Sequence, residues 1–215
     1  MHLLLALLAL APKARHTHAS TPRQAAYIEN LLPLTDLNKV RHECSTLRAH
    51  MKREKNSIAK KRTGLRLPSI SESHKALTSP LVARAVTSAI GEPLRLVDFP
   101  LELRHYGVGA CMDWHTDDLL TTPAQLECIF TVENTADSFT QWRDPERGFE
   151  SMWTTPNSML VVRAGADGPQ HRVTPVRRGG RTILKLVFAP PSAQPTDDFY
   201  EHINSFPEAR KRRRR

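Results

Sequence analysis

The chain of 215 residues is 40% hydrophobic and 25% charged, the composition of an ordinary soluble globular domain. Its three cysteines show no C-x-x-C and no even-numbered disulfide framework. The net charge is +9, but the last six residues, Arg210 to Arg215, are all basic, and without them the net charge is +3. The basicity therefore belongs mostly to a tail, and the body of the chain need not bind nucleic acid.

Residues 1–20 are a candidate targeting or disordered segment. The apolar run from Met1 to Ala11 is too short to span a membrane and has the length of the hydrophobic region of a signal peptide. No Lys or Arg precedes it, however, and Pro12 follows the most natural cleavage site. The sequence is compatible with either a cleaved targeting segment or an N-terminal helix. The compartment is open as well, since the polybasic C-terminus is also compatible with nuclear targeting.

Residues 21–93 are predicted to be a helical support region. Thr21-Pro22 is a typical helix start, and Ala25, Ile28 and Leu31 then recur at a spacing of three. A second helix is predicted from Leu37 to Met51, where apolar residues recur every three or four positions, and its one-sided stripe should pack on a flat surface. A third helix is predicted to start at Ser79-Pro80 and to end at Gly91.

Seven basic residues lie between Lys52 and Arg66, where the helical periodicity is lost. A solvated loop is the usual meaning of such a run, and the alternative is a segment that grips an acidic or polymeric substrate. Beyond residue 94 the period becomes that of strands. The predicted strands cover 94–98, 101–106, 111–115, 125–133, 138–142, 158–164, 171–176 and 181–189. About eight short strands favour a closed or double-sheet β architecture over 94–190, followed by a C-terminal extension over 191–215.

The pair His115 and Asp117 is the most informative motif. In an extended backbone residues i and i+2 point to the same face, so an imidazole and a carboxylate would enter one cavity together. His171 offers a third ligand, in a second cluster that also contains Arg181 on a strongly β-patterned run. Two histidines and one carboxylate on one face of a metal are typical of non-haem Fe(II) oxygenases.

The order of these motifs resembles the 2-oxoglutarate- and Fe(II)-dependent dioxygenases, in particular their prolyl 4-hydroxylase-like branch. H-x-D at 115–117 is followed by H-x-V-x-P-V at 171–176 and by G-x-R ending at Arg181, and the resemblance covers about residues 94–190. It implies an α+β fold, a double-stranded β-helix (jelly roll) of about eight strands with the N-terminal helices outside one sheet. It also implies Fe(II) bound by His115, Asp117 and His171, 2-oxoglutarate and O2 as cosubstrates, and ascorbate as a further candidate cofactor.

The resemblance further implies that Arg181 pairs with the distal carboxylate of 2-oxoglutarate, because a guanidinium can bind a carboxylate through two hydrogen bonds. Tyr106 is implied as a second donor to the same carboxylate, and a half-buried core tyrosine is the alternative. Thr131 and Thr182 are weaker candidates for lining this pocket. Strand alternation predicts that the two residues next to the ligands, Trp114 and Asp118, point away from the metal. Asp113 is predicted to be a supporting or loop carboxylate.

The substrate stays open, because the chain departs from the resembled pattern where relatives often shape substrate access. Many of them have Gly-Gly-x-Thr-x-Phe between the ligands, whereas residues 137–142 read Asp-Ser-Phe-Thr-Gln-Trp. The leading expectation is hydroxylation of a C–H bond in a peptide or small molecule. One alternative is an oxidative nucleic-acid demethylase recruited by the basic segments, although the R-x-N-x-T-x-R pattern of such relatives is absent. The other is a non-catalytic jelly-roll interaction module. The oligomeric state is open too.

Overall fold

The structure is a computed structural model, and it describes residues 22–55, 58–144 and 148–205. The predicted N-terminal segment and polybasic tail lie outside these residues. The helices are α1 (Leu34–Leu47), α2 (Glu72–Leu77), α3 (Pro80–Ile90) and α4 (Asp197–Ser205). The strands are β1 (Ala25–Ile28), β2 (Lys52–Arg53), β3 (Ala59–Lys60), β4 (Thr63–Arg66), β5 (Arg95–Leu96), β6 (Glu102–Tyr106), β7 (Cys111–His115), β8 (Thr121–Thr122), β9 (Leu126–Asn134), β10 (Thr140–Asp144), β11 (Gly148–Met152), β12 (Ser158–Arg163), β13 (His171–Val173), β14 (Arg181–Ala189) and β15 (Gln194–Pro195).

The strands form two main antiparallel sheets. The major sheet runs β1-β12-β9-β14-β6-β4-β2, with β5 also paired to β14, and the minor sheet runs β11-β10-β13-β7-β3. The short strands β8 and β15 pair with each other. Apolar contacts join the inner faces of the two sheets, for example where Trp142 of the minor sheet packs against Leu160 and Val162 of the major sheet. This arrangement is the α+β double-stranded β-helix that the sequence predicts.

The main hydrophobic core lies between the outer face of the major sheet and helices α1 to α3. Helix α1 contributes Leu37, Val40 and Cys44, and the sheet contributes alternate residues such as Phe130 and Leu184. The prediction that the stripe of α1 packs on a flat surface is confirmed. Helix α3 also begins and ends as predicted, because Ser79 accepts a hydrogen bond from the Val82 amide and Gly91 takes the left-handed conformation at the C-cap.

The inner face of the major sheet is unusually polar for a space between two sheets. Strand alternation places Arg181, Ile183 and Lys185 of β14 on this face, while Thr182 and Leu184 face the helices. Glu102, Arg104 and Tyr106 of β6 and Glu127 and Thr131 of β9 face the same interior by the same alternation. This interior is where the predicted metal ligands lie.

Two predictions in the N-terminal region are wrong. Residues 25–28 form strand β1, which pairs with β12 from Ala25↔Val162 to Ile28↔Met159, instead of a helix. Pro33 leaves room for only a short helix before α1, and so short a helix is weakly stable. The hydrogen bonds between β1 and β12 outweigh this weak helix propensity. The basic stretch 52–66 is not only a loop, because it contributes β2, β3 and β4 to the edges of both sheets.

All eight predicted strands are confirmed, with ends that differ by a few residues. The structure adds the short strands β8, β11 and β15 and the helices α2 and α4. No helix among residues 22–55, 58–144 and 148–205 is long and apolar enough to cross a membrane.

Candidate metal centre

The three predicted ligands meet in the space between the sheets. His115 ends β7 and His171 begins β13, and these strands pair so that the two histidines lie directly opposite each other. Their ring centroids are 4.2 Å apart. Asp117 follows β7 by two residues, and its carboxylate oxygens lie 3.9 Å from His115 Nε2 and 3.3 Å from His171 Nε2. All three potential ligand atoms lie within 4.8 Å of one another, close enough to share one ion.

The turn before β13 brings His171 to this place. Gly165 donates its amide to the backbone carbonyl of Asp117 at 2.9 Å, which ties the turn to the ligand segment. At Gly168 a Cβ would lie 2.2 Å from the carbonyl oxygen of Arg163, so a side chain has no room there. The two ligand segments are thus joined both by the β7–β13 ladder and by this turn.

Backbone carbonyls orient both imidazole rings. His115 Nδ1 lies 2.8 Å from the Asp113 carbonyl, and His171 Nδ1 lies 3.1 Å from the Pro169 carbonyl. A carbonyl only accepts, so each Nδ1 carries a proton, and in the neutral ring Nε2 then presents a lone pair to the shared space. This is the usual support of histidine ligands in metal sites.

The centre fits a cation because its atoms would otherwise repel one another. The two Nε2 lone pairs and the Asp117 carboxylate are all acceptors, and in the part of the chain that the structure describes no group hydrogen-bonds the buried His115 Nε2. Burial lowers the pKa of His115, and the neighbouring His171 lowers it further, which favours the neutral ligand form. Burial alone would raise the pKa of Asp117, but the positive charge of Lys185 lowers it overall and keeps the carboxylate ionised.

Arg181 and Tyr106 form a second cluster in the same interior. They are directly paired across β14 and β6, and each is only 2% exposed. Arg181 donates a short hydrogen bond to the Thr140 hydroxyl, while its Nε has no hydrogen-bond partner among the described residues. Within the described part of the chain no carboxylate forms an ion pair with Arg181, and burial lowers its pKa. A buried guanidinium without a carboxylate partner is costly, and among the described residues Arg181 has only the Thr140 hydroxyl, so this position calls for an anion.

The neighbours of the ligands behave as the strand alternation predicts. Trp114 packs between Arg143 and Arg172 and against Phe149, away from the metal ligands. Asp118 lies 3.3 Å from His202 of α4. The Asp113 carboxylate pairs with Lys60 at 2.8 Å, so only its backbone carbonyl supports the centre.

The two threonine candidates have different outcomes. Thr131 is buried on the inner face, and its hydroxyl bonds none of the residues that the structure describes. Thr182 does not line the pocket, because it bonds Arg48 and His105 on the opposite face of the sheet. Adjacent strand residues face opposite sides, and Arg181 already occupies the inner position.

Sequence reasoning missed three ion pairs in this interior. They are Lys185 with Glu127 at 2.8 Å, Arg104 with Glu102, and Arg62 with Glu54, whose carboxylate also lies 3.7 Å from Arg104. Burial raises the pKa of Glu127 although the ammonium of Lys185 opposes the shift. Lys185 follows Arg181 by four residues on the same strand, so its inward direction could have been read from the alternation. Arg62 carried no such signal, because it belongs to the basic run.

No protein-family model matches the chain, and no curated protein matches it in sequence. Among solved structures, a Pseudomonas putida prolyl-4-hydroxylase is 15% identical, with 79% of this chain and 94% of that chain covered and a TM-score of 0.62. The α-ketoglutarate-dependent epimerase SnoN from nogalamycin biosynthesis is 13% identical, with 86% of each chain covered and a TM-score of 0.69.

A Trichoplax adhaerens prolyl hydroxylase in complex with a hypoxia-inducible-factor peptide is 11% identical, with 86% of this chain and 88% of that chain covered and a TM-score of 0.62. At such identities the similarity concerns the fold. The predicted fold relationship is therefore confirmed.

Proposed function

We propose that the protein is an Fe(II)- and 2-oxoglutarate-dependent dioxygenase that hydroxylates a C–H bond. The observation that carries the proposal is that one interior contains both a set of ligand atoms suited to a cation and a buried cation suited to an anion. Three potential ligand atoms, from His115, Asp117 and His171, converge on one point, and the buried Arg181 forms no ion pair with a carboxylate of the described residues. A metal and a dicarboxylate would together satisfy both.

The proposed residue roles follow from this arrangement. His115, Asp117 and His171 hold the iron on one face and leave its other positions to cosubstrate and O2. Arg181 binds the distal carboxylate of 2-oxoglutarate, and Tyr106 donates its hydroxyl to the same group. When bound, iron and cosubstrate supply the oxidising chemistry, in which O2 is consumed as 2-oxoglutarate becomes succinate and CO2 and the substrate C–H becomes C–OH. Ascorbate is proposed as the reductant that keeps the iron ferrous.

The protein also excludes water from the cosubstrate end of the interior. Arg181 and Tyr106 are almost fully buried, whereas the Asp117 side chain retains 13% exposure. The cosubstrate carboxylate would thus lie in the dry part, where a charged hydrogen bond is strongest. The metal would lie nearer to the opening through which a substrate arrives.

The proposed substrate is peptidyl, of the prolyl type, or a small molecule. The similar folds include a hydroxylase in complex with a peptide fragment and an epimerase in complex with nogalamycin RO, so the architecture supports both kinds. The stretch 137–142, where the chain departs from the resembled pattern, starts β10 and supplies Thr140 to Arg181. It therefore contacts the proposed cosubstrate site.

The decisive experiment is an anaerobic titration of the full chain with Fe(II) and 2-oxoglutarate, followed by the metal-to-ligand charge-transfer absorption of the chelate. We expect a band in the wild type, loss of the band in His171→Ala, and a higher 2-oxoglutarate requirement in Arg181→Ala. His50→Ala, at an exposed histidine, is the matched control and should behave as wild type.

No band in correctly folded wild-type protein would refute the proposal and favour an interaction module. A band that survives His171→Ala unchanged would refute the ligand assignment. Once the band is established, succinate release separates the two substrate classes, since only a true substrate should stimulate turnover. Proline-containing peptides and small polycyclic molecules are the two panels to compare.

A further inference from the structure

Arg62 is a buried cation that the basic composition of its segment conceals. It is 1% exposed, and its Nε and Nη2 both bond one carboxylate oxygen of Glu54. Its charge is therefore neutralised from that side. The remaining nitrogen, Nη1, points into the interior, where it lies 3.1 Å from the hydroxyl of Tyr106 and 3.2 Å from the sulfur of Met112.

The contact with Arg62 settles the direction of the Tyr106 hydroxyl. A guanidinium only donates hydrogen bonds, so the phenol oxygen accepts from Arg62 and its own proton must point elsewhere. The acceptor that it meets is the sulfur of Met112 at 3.4 Å, and a thioether is a weak acceptor. A carboxylate oxygen in reach of this proton would be a much stronger acceptor.

Such a carboxylate would lie next to Arg181. Tyr106 and Arg181 are opposite each other on β6 and β14, with Cα atoms about 4.5–5.5 Å apart as in any antiparallel pair. Arg62 and Arg181 thus flank one phenol, but they differ in charge balance. Arg62 is paired with Glu54, and Arg181 has no acidic partner among the residues that the structure describes.

We propose that Arg62 is a positioning residue for the cosubstrate. Arg62 fixes the Tyr106 hydroxyl so that this hydroxyl donates to the distal carboxylate of 2-oxoglutarate. The inference rests on the proposed function and deepens it. Arg181 is the charge partner of that carboxylate, and Arg62 acts only through Tyr106. The basic segment 52–66 thereby has a part in the site besides its place in the two sheets.

The test is a double-mutant cycle on the dissociation constant of 2-oxoglutarate, measured in the full chain by the anaerobic charge-transfer titration. We expect Tyr106→Phe to raise the constant about tenfold, the effect of losing one hydrogen bond to a charged group. Arg62→Met should raise it about three- to tenfold in the wild-type background but less than about twofold in Tyr106→Phe, because its effect passes through the hydroxyl. A merely structural role of Arg62 would weaken binding equally in both backgrounds.

Arg53→Met is the matched control, since Arg53 is an exposed arginine on β2 of the same segment, and it should leave the constant unchanged. If Arg62→Met does not fold, Arg62→Lys carries the same cycle, because it retains a cation beside Glu54 without the planar donor fork. Equal effects in both backgrounds, or none in the wild type, would overturn the inference while the wild-type band upholds the proposed function. A wild type without a band would overturn both.

Discussion

Removal of the Lys185 ammonium should destabilise the protein strongly. Lys185 and Glu127 form a 2.8 Å ion pair in the interior, where the Glu127 side chain is 1% exposed and that of Lys185 is 12% exposed. Lys185→Met leaves the carboxylate of Glu127 buried and without its cation. Loss of one partner of a buried pair typically costs about 3–5 kcal/mol. This is a large part of the roughly 5–15 kcal/mol of stability that a domain has.

Urea denaturation of the metal-free protein at neutral pH, followed by circular dichroism, measures this loss. The matched variant is Lys185→Met combined with Glu127→Leu, which replaces both charges by apolar groups. It should recover most of the lost stability, because a buried pair is often close to neutral relative to a well-packed apolar pair. A loss below about 1 kcal/mol in Lys185→Met, or a double variant less stable than the single one, would refute the reasoning.

Two further predictions concern the carboxylate at Glu54 and the main core. Burial alone would raise the pKa of Glu54, but the charges of Arg104 and Arg62 lower it overall below the ordinary 4.5. The ionised carboxylate therefore stabilises the folded protein above pH 4.5, and this stabilisation is lost as the pH falls through the pKa of the folded state. Acid titration of the unfolding free energy should therefore be steeper for the wild type than for Glu54→Gln, and equal slopes would contradict the assignment. Phe130→Ala removes a fully buried ring between sheet and helices and should cost about 3–5 kcal/mol in thermal or urea unfolding. The exposed Phe149 is its control, and Phe149→Ala should change stability by no more than about 0.5 kcal/mol.

The predictions from sequence were strongest where one regular period decides the direction of a side chain. The strand period placed His115 and Asp117 on one side and Trp114 on the other, and the structure agrees on all three. The strand period does not decide which strands become neighbours in a sheet. The inclusion of His171 among the ligands came from the order of motifs in a resembled family, and the pairing of β7 with β13 that brings it opposite His115 is a finding of the structure.

The errors have equally local causes. The helix predicted around residues 25–31 is wrong because so short a segment, whether its apolar pattern is helical or strand-like, becomes a strand where it can pair with the edge of a sheet. Thr182 was considered for the pocket although its neighbour Arg181 already takes the inner position. Arg62 and Lys185 were missed because charged residues are expected at the surface, and only burial next to a partner reveals that they face inward.

The charges of the interior predict that metal and cosubstrate bind cooperatively. Three ion pairs, Arg62–Glu54, Arg104–Glu102 and Lys185–Glu127, each combine one cation with one carboxylate, so their charges cancel. Apart from these pairs, Asp117 adds one negative charge to this interior and Arg181 adds one positive charge. Fe(II) alone would leave the buried space with an excess of two positive charges, and 2-oxoglutarate alone would leave an excess of two negative ones.

Each ligand should therefore strengthen the binding of the other, by about 5- to 150-fold for a typical coupling of 1–3 kcal/mol, and linkage requires the factor to be reciprocal. Anaerobic calorimetry of metal binding with and without 2-oxoglutarate, and of 2-oxoglutarate binding with and without metal, measures both factors. Arg181→Met removes the cation that holds the distal carboxylate, so metal affinity should respond less to 2-oxoglutarate in that variant. Metal affinity that is unaffected by 2-oxoglutarate in the wild type would show that the metal site and the cosubstrate site are independent, and the argument from charge balance would fail.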